Sequence, residues 1–516
     1  MAKDNFSGMK VLIMGLGLNG GGLEAARYLA GKGAEVTVTD LKDEKVLAPS
    51  LETLKSFPIR YVLGRHELDD FRKADMVVKN PGVRPDSPYL KAARRIETDI
   101  SLFLAANPAR LLAVTGSKGK SSTSSALHWV LNESRSKAAG ILPGKAWLGG
   151  NITLSPLNFL SELKEGDDVV LELSSWQLGD LRGKNLLKPR AAVLTAIMPD
   201  HLNWYASMEA YVGDKRVIYQ NQDAKDVTVA GNDDWGKSFL RESRGRPLMY
   251  SRGTLPEGSF GGWIPQPEGP GFARLWEIPG RLHSGNKGES GSVVEVVPSR
   301  PLVPGYHQKQ NLLAAALALI DLGLPADFVR ESLGRFPGIE HRLEFFHESS
   351  GIRFYNDTTA TIPEAAAAAI NAFEKPPVLV TGGTDKNLDF TPLARAAKNA
   401  KALILLAGTG SDKLKALLDG EGINYRGPFD SLEAAINAAL EAAAPGDTVV
   451  LSPGCTSFGM FLNEFDRGRK WKEAVRKIGT RERGLGSLLV SQVCRWHAQS
   501  ANKDPQSLVP SPQSHL

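Results

Sequence analysis

Leu111-Leu112-Ala113-Val114-Thr115-Gly116-Ser117-Lys118-Gly119-Lys120-Ser121-Ser122-Thr123 passes from an apolar run through a glycine turn into helix-forming sequence. That change of period predicts a buried strand, a tight loop and a helix start. The N–H groups of such a loop and of the helix N-terminus point at one anion. Gly116 to Thr123 is therefore expected to bind ATP. In that arrangement Lys120 reaches the β- and γ-phosphates and Ser121 ligates magnesium. The full motif has a further glycine five residues before Gly119, and Val114 stands there instead.

Two more openings of this kind flank the first. The apolar strand Lys10 to Met14 enters Gly15-x-Gly17-x-x-Gly20, a helix is expected over residues 23–32, and the next strand ends at Asp40, twenty residues after Gly20. This is the complete dinucleotide fingerprint. A diphosphate on a helix N-terminus with an acidic residue near a sugar suits NAD and UDP equally. An NAD-dependent oxidoreductase and a UDP-binding protein both remain open on this loop alone. The third opening is residues 377–380, followed by Thr381-Gly382-Gly383-Thr384-Asp385-Lys386 and a helix over 390–398.

Three strand, loop and helix openings in 516 residues predict an α/β chain of three domains, each presenting a ligand loop at the carboxyl end of its first strand. The expected order is a Rossmann-like domain over 1–98, a central P-loop ATPase-like domain over 99–337 and a second Rossmann-like domain over 338–480. Ligands should meet between them. Residues 251–286, rich in Gly and Pro, read as turns and short hairpins, and the Ser-, Gln- and Pro-rich stretch over 481–516 as a disordered tail.

Composition narrows the partners. Hydrophobic residues make up 42% and charged residues 23%, and no apolar run approaches the roughly 18 residues of a membrane span. The net charge of +5 comes from dispersed Lys and Arg, not basic blocks with interleaved aromatics, so nucleic acid is not an expected partner. Two distant cysteines, Cys455 and Cys494, predict neither a disulfide framework nor a zinc site, and fit a reducing cytoplasm.

Val169-Val170-Leu171-Glu172-Leu173 reads as a buried strand with one carboxylate at its end. Glu172 is costly there unless paired or bound to a cation such as magnesium. Residues 191–197 are a further expected strand, delivering Pro199-Asp200-His201, where His201 could ligate a second ion, orient water or be structural. Lys215 has only the spacing of a solvated helix lysine.

Together these residues resemble the Mur ligases. The resemblance runs from about Val11 to Gly479 and is carried by Val114 to Ser121, Glu172-Leu173-Ser174-Ser175-Trp176-Gln177, Asp200-His201-Leu202, Gly382 to Lys386 and Ser452-Pro453-Gly454-Cys455-Thr456-Ser457-Phe458. It implies an ATP- and magnesium-dependent ligase that forms an amide through an acyl phosphate. The acceptor would be UDP-N-acetylmuramoyl-L-alanine and the incoming residue D-glutamate, in peptidoglycan precursor synthesis by a cytoplasmic monomer. L-glutamate, another amino acid or another reaction of the family are its alternatives.

The resemblance also implies roles. Gly15, Gly17, Gly20, Asp40, Asn80 and Gly82 would hold the uridine nucleotide, with Asn151, Ser174 and Gln177 on the sugar-peptide side. Arg342 and Asp357 would contact ATP, and Asn311 would cover its adenine. Lys120, His201 and Lys215 would be catalytic, with Lys215 carbamylated so that it joins Ser121, Glu172 and His201 as a metal ligand. Thr361, Lys386, Ser457 and Phe458 would form the amino-acid pocket. Thr359, Gln308 and Leu462-Asn463-Glu464-Phe465 depart from the usual family pattern, which has Lys, Asn and Lys-Asn-Phe-Glu there.

Overall fold

The computed structural model describes residues 6–18, 20–136, 138–152, 154–201, 203–276, 293–457 and 459–477. Phe458, residues 277–286 of the expected hairpin insertion and the expected tail over 481–516 lie outside the described residues.

Among the described residues twenty strands form three sheets. The first contains β1 (Lys10–Met14), β2 (Glu35–Asp40), β3 (Arg60–Leu63), β4 (Met76–Lys79) and β5 (Ile96–Glu97), all parallel in the order β3-β2-β1-β4-β5. The second contains β6 (Arg110–Thr115), β7 (Ala146–Gly150), β8 (Asp168–Glu172), β9 (Ala191–Leu194), β10 (Val227–Gly231), β11 (Arg246–Arg252), β12 (Gly261–Ile264), β13 (Gly271–Arg274) and β14 (Val293–Val297). Its order is β14-β13-β12-β11-β10-β9-β6-β8-β7, parallel except for the last two pairings, β12 with β13 and β13 with β14. The third contains β15 (Glu344–Ser349), β16 (Ile352–Asn356), β17 (Val378–Gly382), β18 (Ala402–Leu406), β19 (Arg426–Phe429) and β20 (Thr448–Leu451), in the order β15-β16-β20-β17-β18-β19, with only β15 antiparallel.

The alternation of apolar side chains explains why both faces of each sheet are covered. In the third sheet, Leu379, Leu403, Leu405 and Val450 point to one core, and Val378, Val380, Ile404, Val449 and Leu451 to the other, around Trp471. In the second, Leu112, Val114, Val170 and Val193 pack against the helices Lys120–Ser134 and Tyr306–Asp321.

The chain divides into two compact units at Ile339 and Glu340. The first unit holds two sheets because one core runs through both: Val11, Ile13, Val36 and Val38 share a cluster with Phe103, Phe159, Leu171 and Leu173. A buried ion pair, Lys79 with Asp180 at 2.7 Å, joins β4 to the helix Ser175–Asp180.

Within the parallel part of each sheet the strand order reverses, which opens a crevice at the carboxyl ends. The reversals fall at β1 and β4, at β6 with β8 and β9, and at β17 and β20. The three loops singled out in the sequence follow β1, β6 and β17.

Two element boundaries differ from expectation for local reasons. The first helix is Gly21–Gly31, two residues earlier than expected; a side chain on Gly22 would overlap the Gly15 carbonyl oxygen, so glycine lets the helix start close against the strand end. Strand β9 ends at Leu194, not at 197, because the following backbone turns to bond the phosphate loop.

Candidate functional site

The loop after β6 requires both of its glycines. Gly116 (φ +149°) and Gly119 (φ +93°) adopt conformations that side chains disfavour. Methyls there would overlap Thr195 Oγ1 and Asn311 Oδ1 respectively. The segment after β9 braces the loop from one side: the N–H groups of Ser117 and Lys118 donate to the Ala196 carbonyl at 2.8 and 3.3 Å. Ser117 Oγ donates to the Met198 carbonyl at 2.9 Å and lies 3.0 Å from the Tyr211 hydroxyl. The helix Tyr306–Asp321 braces it from the other through Asn311, whose amide donates to Gln308 Oε1 at 3.1 Å.

Two lysines converge on this loop. Lys120 Nζ donates to the Gly116 and Ser117 carbonyls at 3.0 Å each, and Lys215 Nζ donates to the same Gly116 carbonyl at 2.9 Å. Lys215 is only 1% exposed, which overturns its reading as a solvated helix lysine. It closes the helix Met208–Lys215, which turns it inward onto the ring of Tyr211, 4.4 Å away. Burial, followed by the like charge of Lys120, pushes its pKa down to about 7.

Glu172, at the end of β8, is buried and makes no ion pair among the described residues. Its carboxylate accepts from Asn151 Nδ2 at 2.9 Å and from Ser124 Oγ at 3.5 Å. Asn151 is held in turn by its own N–H on the Glu172 carbonyl at 2.8 Å. Ser121 and Ser122 lie in the first turn of Lys120–Ser134, and the Thr123 hydroxyl reaches the Asn311 carbonyl at 3.5 Å. Ser174 and Gln177 cap the next helix reciprocally: the Ser174 N–H donates to Gln177 Oε1 at 3.0 Å and the Gln177 N–H to Ser174 Oγ at 3.2 Å.

His201 stands in a left-handed turn (φ +54°) with an exposed ring 4.8 Å from that of Trp176. Trp176 packs in turn, tilted, against Trp204 at 4.7 Å, and its indole N–H is buried without a hydrogen-bond partner among the described residues. Lys118 Nζ lies 3.8 Å from Asp200. Lys120, Ser121, Glu172 and Lys215 therefore share one neighbourhood, with His201 on its rim.

The loop after β1 is built around positive φ at Gly15, Gly17 and Gly20. Asp40, at the end of β2, caps it, accepting from the N–H of Gly17 at 3.2 Å and of Lys42 at 2.9 Å. Across the crevice Asn80 donates its N–H to the Met14 carbonyl at 2.9 Å and folds its side chain back to accept from the N–H of Gly82 at 3.1 Å.

In the second unit, Arg342 sits between His341 (φ +69°) and Leu343 (φ +42°). The turn is held by Asp357, which accepts from the Leu343 N–H at 3.1 Å and from Ser452 Oγ at 2.6 Å. Burial pushes the Asp357 pKa up to about 7. Thr359 donates its hydroxyl to the His341 carbonyl at 2.8 Å. The loop carrying Lys386 and the loop carrying buried Ser457 pair through Thr384 and Thr456, while Thr361 follows β16. Arg467, which the sequence did not single out, is buried beneath them and donates to the Thr358 and Cys455 carbonyls at 2.8 and 3.2 Å. Tyr211 and Thr195 were missed likewise. Nothing local distinguishes them, since each acts on a loop about eighty or more positions away.

Family models match almost the whole of this architecture: a MurD-like N-terminal domain of Mur ligases over residues 9–101, the Mur ligase middle domain over 114–319, and the Mur ligase glutamate ligase domain over 341–455. The UDP-N-acetylmuramoylalanine--D-glutamate ligase of Treponema pallidum (strain Nichols) is 40% identical, the match covering 92% of this chain and 99% of that one. The protein of that name from Roseiflexus sp. (strain RS-1) is also 40% identical, with the same two shares covered. Among solved structures, the UDP-N-acetylmuramate-alanine ligase MurC of Thermotoga maritima shares the fold at 18% identity, with a TM-score of 0.50 over 91% of this chain and 99% of that one.

The class is thus that of ATP-dependent, amide-bond-forming ligases. Within it, the chain belongs to the Mur ligase family. The nicotinamide reading of the first glycine loop is set aside by that membership.

Proposed function

We propose that this chain joins D-glutamate to UDP-N-acetylmuramoyl-L-alanine, with ATP converted to ADP and phosphate, in cytoplasmic synthesis of peptidoglycan precursor, and that it acts as a monomer with domains over 1–98, 99–337 and 338–480. The observation that carries the reading is the convergence of Lys120 and Lys215 on the Gly116 carbonyl beside buried Glu172. It is supported by relatives of matching length whose names specify this reaction.

A carboxylate and an amine do not condense unaided, so the acceptor carboxylate first takes the γ-phosphoryl group to become an acyl phosphate. Gly116 to Thr123 cradle the phosphates with backbone N–H groups, and Lys120 offsets the charge that shifts toward the leaving ADP. Arg342, Asp357 and Asn311 hold the nucleotide. The Gly15, Gly17 and Gly20 loop, Asp40, Asn80 and Gly82 hold the UDP part of the acceptor, and Asn151, Ser174 and Gln177 its sugar-peptide part. Thr361, Lys386, Ser457 and Phe458 take the amino acid, with Lys386 facing its side-chain carboxylate. The amine then attacks the acyl carbon, and the tetrahedral intermediate collapses to amide and phosphate. Fixed positions and fixed charges supply most of the acceleration.

The residues present fit magnesium: a buried carboxylate at Glu172 with only neutral donors around it calls for a cation. Ser121, Glu172, His201 and Lys215 would hold it. Bound there, magnesium would supply positive charge to the phosphate oxygens. An ammonium cannot be a ligand. Lys215 serves only after its neutral amine has added to carbon dioxide, forming an N–C bond and releasing a proton.

The test is ADP release from ATP, magnesium and UDP-N-acetylmuramoyl-L-alanine with a panel of amino acids resolved by stereoisomer. D-glutamate alone should support turnover. Turnover with L-glutamate or a different amino acid in its place, or none at all, rejects the reading.

A further inference from the structure

We propose that Arg84 and Trp204 form a clasp over the acceptor's path and set the affinity for its diphosphate-sugar part. The inference rests on the acceptor reading of the loop after β4 given above.

Arg84 lies two residues beyond Gly82, and Trp204 three beyond His201. The Arg84 guanidinium stands 5.0 Å from the Trp204 ring centroid. The Trp204 ring packs tilted against Trp176, and Trp176 tilted against His201. One continuous surface therefore leads from the loop of the first sheet to the rim of the phosphate loop. Arg84 is half exposed, and Asp86 orients its guanidinium with bonds of 3.1 and 3.4 Å.

The root of the same loop is fixed separately. Lys79 Nζ donates to the Val83 carbonyl at 3.0 Å and pairs with Asp180 of the helix that carries Trp176. The aromatic cluster is thus not the sole tie between the two sheets among the described residues. With Nε and one Nη donated to Asp86, the Arg84 guanidinium on the indole has its other Nη, whose N–H groups suit diphosphate oxygens.

The experiment measures initial rates of the whole enzyme while acceptor, ATP and glutamate are varied in turn, for Arg84→Ala, Trp204→Ala, the double variant and Trp204→Phe. Each single alanine variant should raise the acceptor KM about five- to tenfold, with kcat within about twofold and the other two KM values unchanged. The double variant should go no further than the worse single one, because the two side chains act as a unit. Trp204→Phe should recover most of the loss. Normal acceptor KM in both single variants, additive effects, or a rise in the ATP KM each overturns the clasp. A wild-type enzyme inactive on this acceptor would instead overturn the functional reading beneath it.

Discussion

Lys215 shows how a side chain's chemistry follows from where the fold puts it. Its amine is buried against Tyr211 and beside Lys120, with a pKa lowered to about 7, so the neutral form needed for carbamate formation prevails above pH 7 and is lost below it. Between pH 7 and pH 6 the neutral fraction falls roughly fivefold. Activity should therefore depend on added bicarbonate at pH 6 and be indifferent to it at pH 8. A carbamate carbon signal in 13C spectra of protein under labelled carbon dioxide should follow the same profile and be absent from Lys215→Ala.

Asp357 makes the opposite case. Its pKa is raised from 3.8 to about 7 by burial, so the folded state prefers the neutral acid. The stability this contributes is complete below about pH 4 and is lost as pH rises through 7. Asp357→Asn mimics the neutral acid and should be free of that loss. Denaturant melts of the unliganded protein should show the variant gaining on the parent between pH 4 and pH 8, by on the order of 2–4 kcal/mol.

Residues of these two kinds also mark what could be read in advance. The pattern of Gly116, Gly119 and Lys120 is local, so one pass along the chain finds it. The burial of Lys215 depends on Gly116, ninety-nine positions away, and its spacing alone gave the wrong environment. Only the family resemblance raised it.

At the scale of elements, strands β1, β6 and β17 and the loops after them were legible because apolar runs ending in glycine have few other readings. The end of β9 was not. Residues 195–197 keep apolar character, yet Thr195 Oγ1 donates to the Thr115 carbonyl at 3.1 Å and Ala196 accepts from the phosphate loop. Their backbone is committed to a neighbour the local pattern does not reveal. Gly116→Ala should cost about 2–4 kcal/mol through backbone strain and the overlap with Thr195. It should also weaken ATP binding, measured by calorimetry. Adding Thr195→Ala removes the overlapped oxygen and should recover part of the stability, whereas no recovery would mean that strain alone sets the cost.

For the whole molecule, the shared core of the first two sheets makes a statement about folding units. Val11, Ile13, Val36 and Val38 are covered by residues that include Phe103 and Phe159, so a fragment ending at 98 leaves that apolar face open to water. Residues 1–339 expressed alone should melt in a single cooperative transition by scanning calorimetry, and residues 1–98 should not. The sequence showed three loop openings, but not that two sheets would share one interior, because apolar periodicity reports which face is buried and not what buries it.

The bracing of the phosphate loop also has a consequence for synthesis on the ribosome. Its motif is complete once residue 123 has been made, yet one wall is Thr195 and the other Asn311. A nascent chain that already carries every phosphate-binding residue thus lacks the walls that shape the loop until Asn311 has left the exit tunnel. The capacity to grip a nucleotide arrives late and abruptly, long after the residues that contact it.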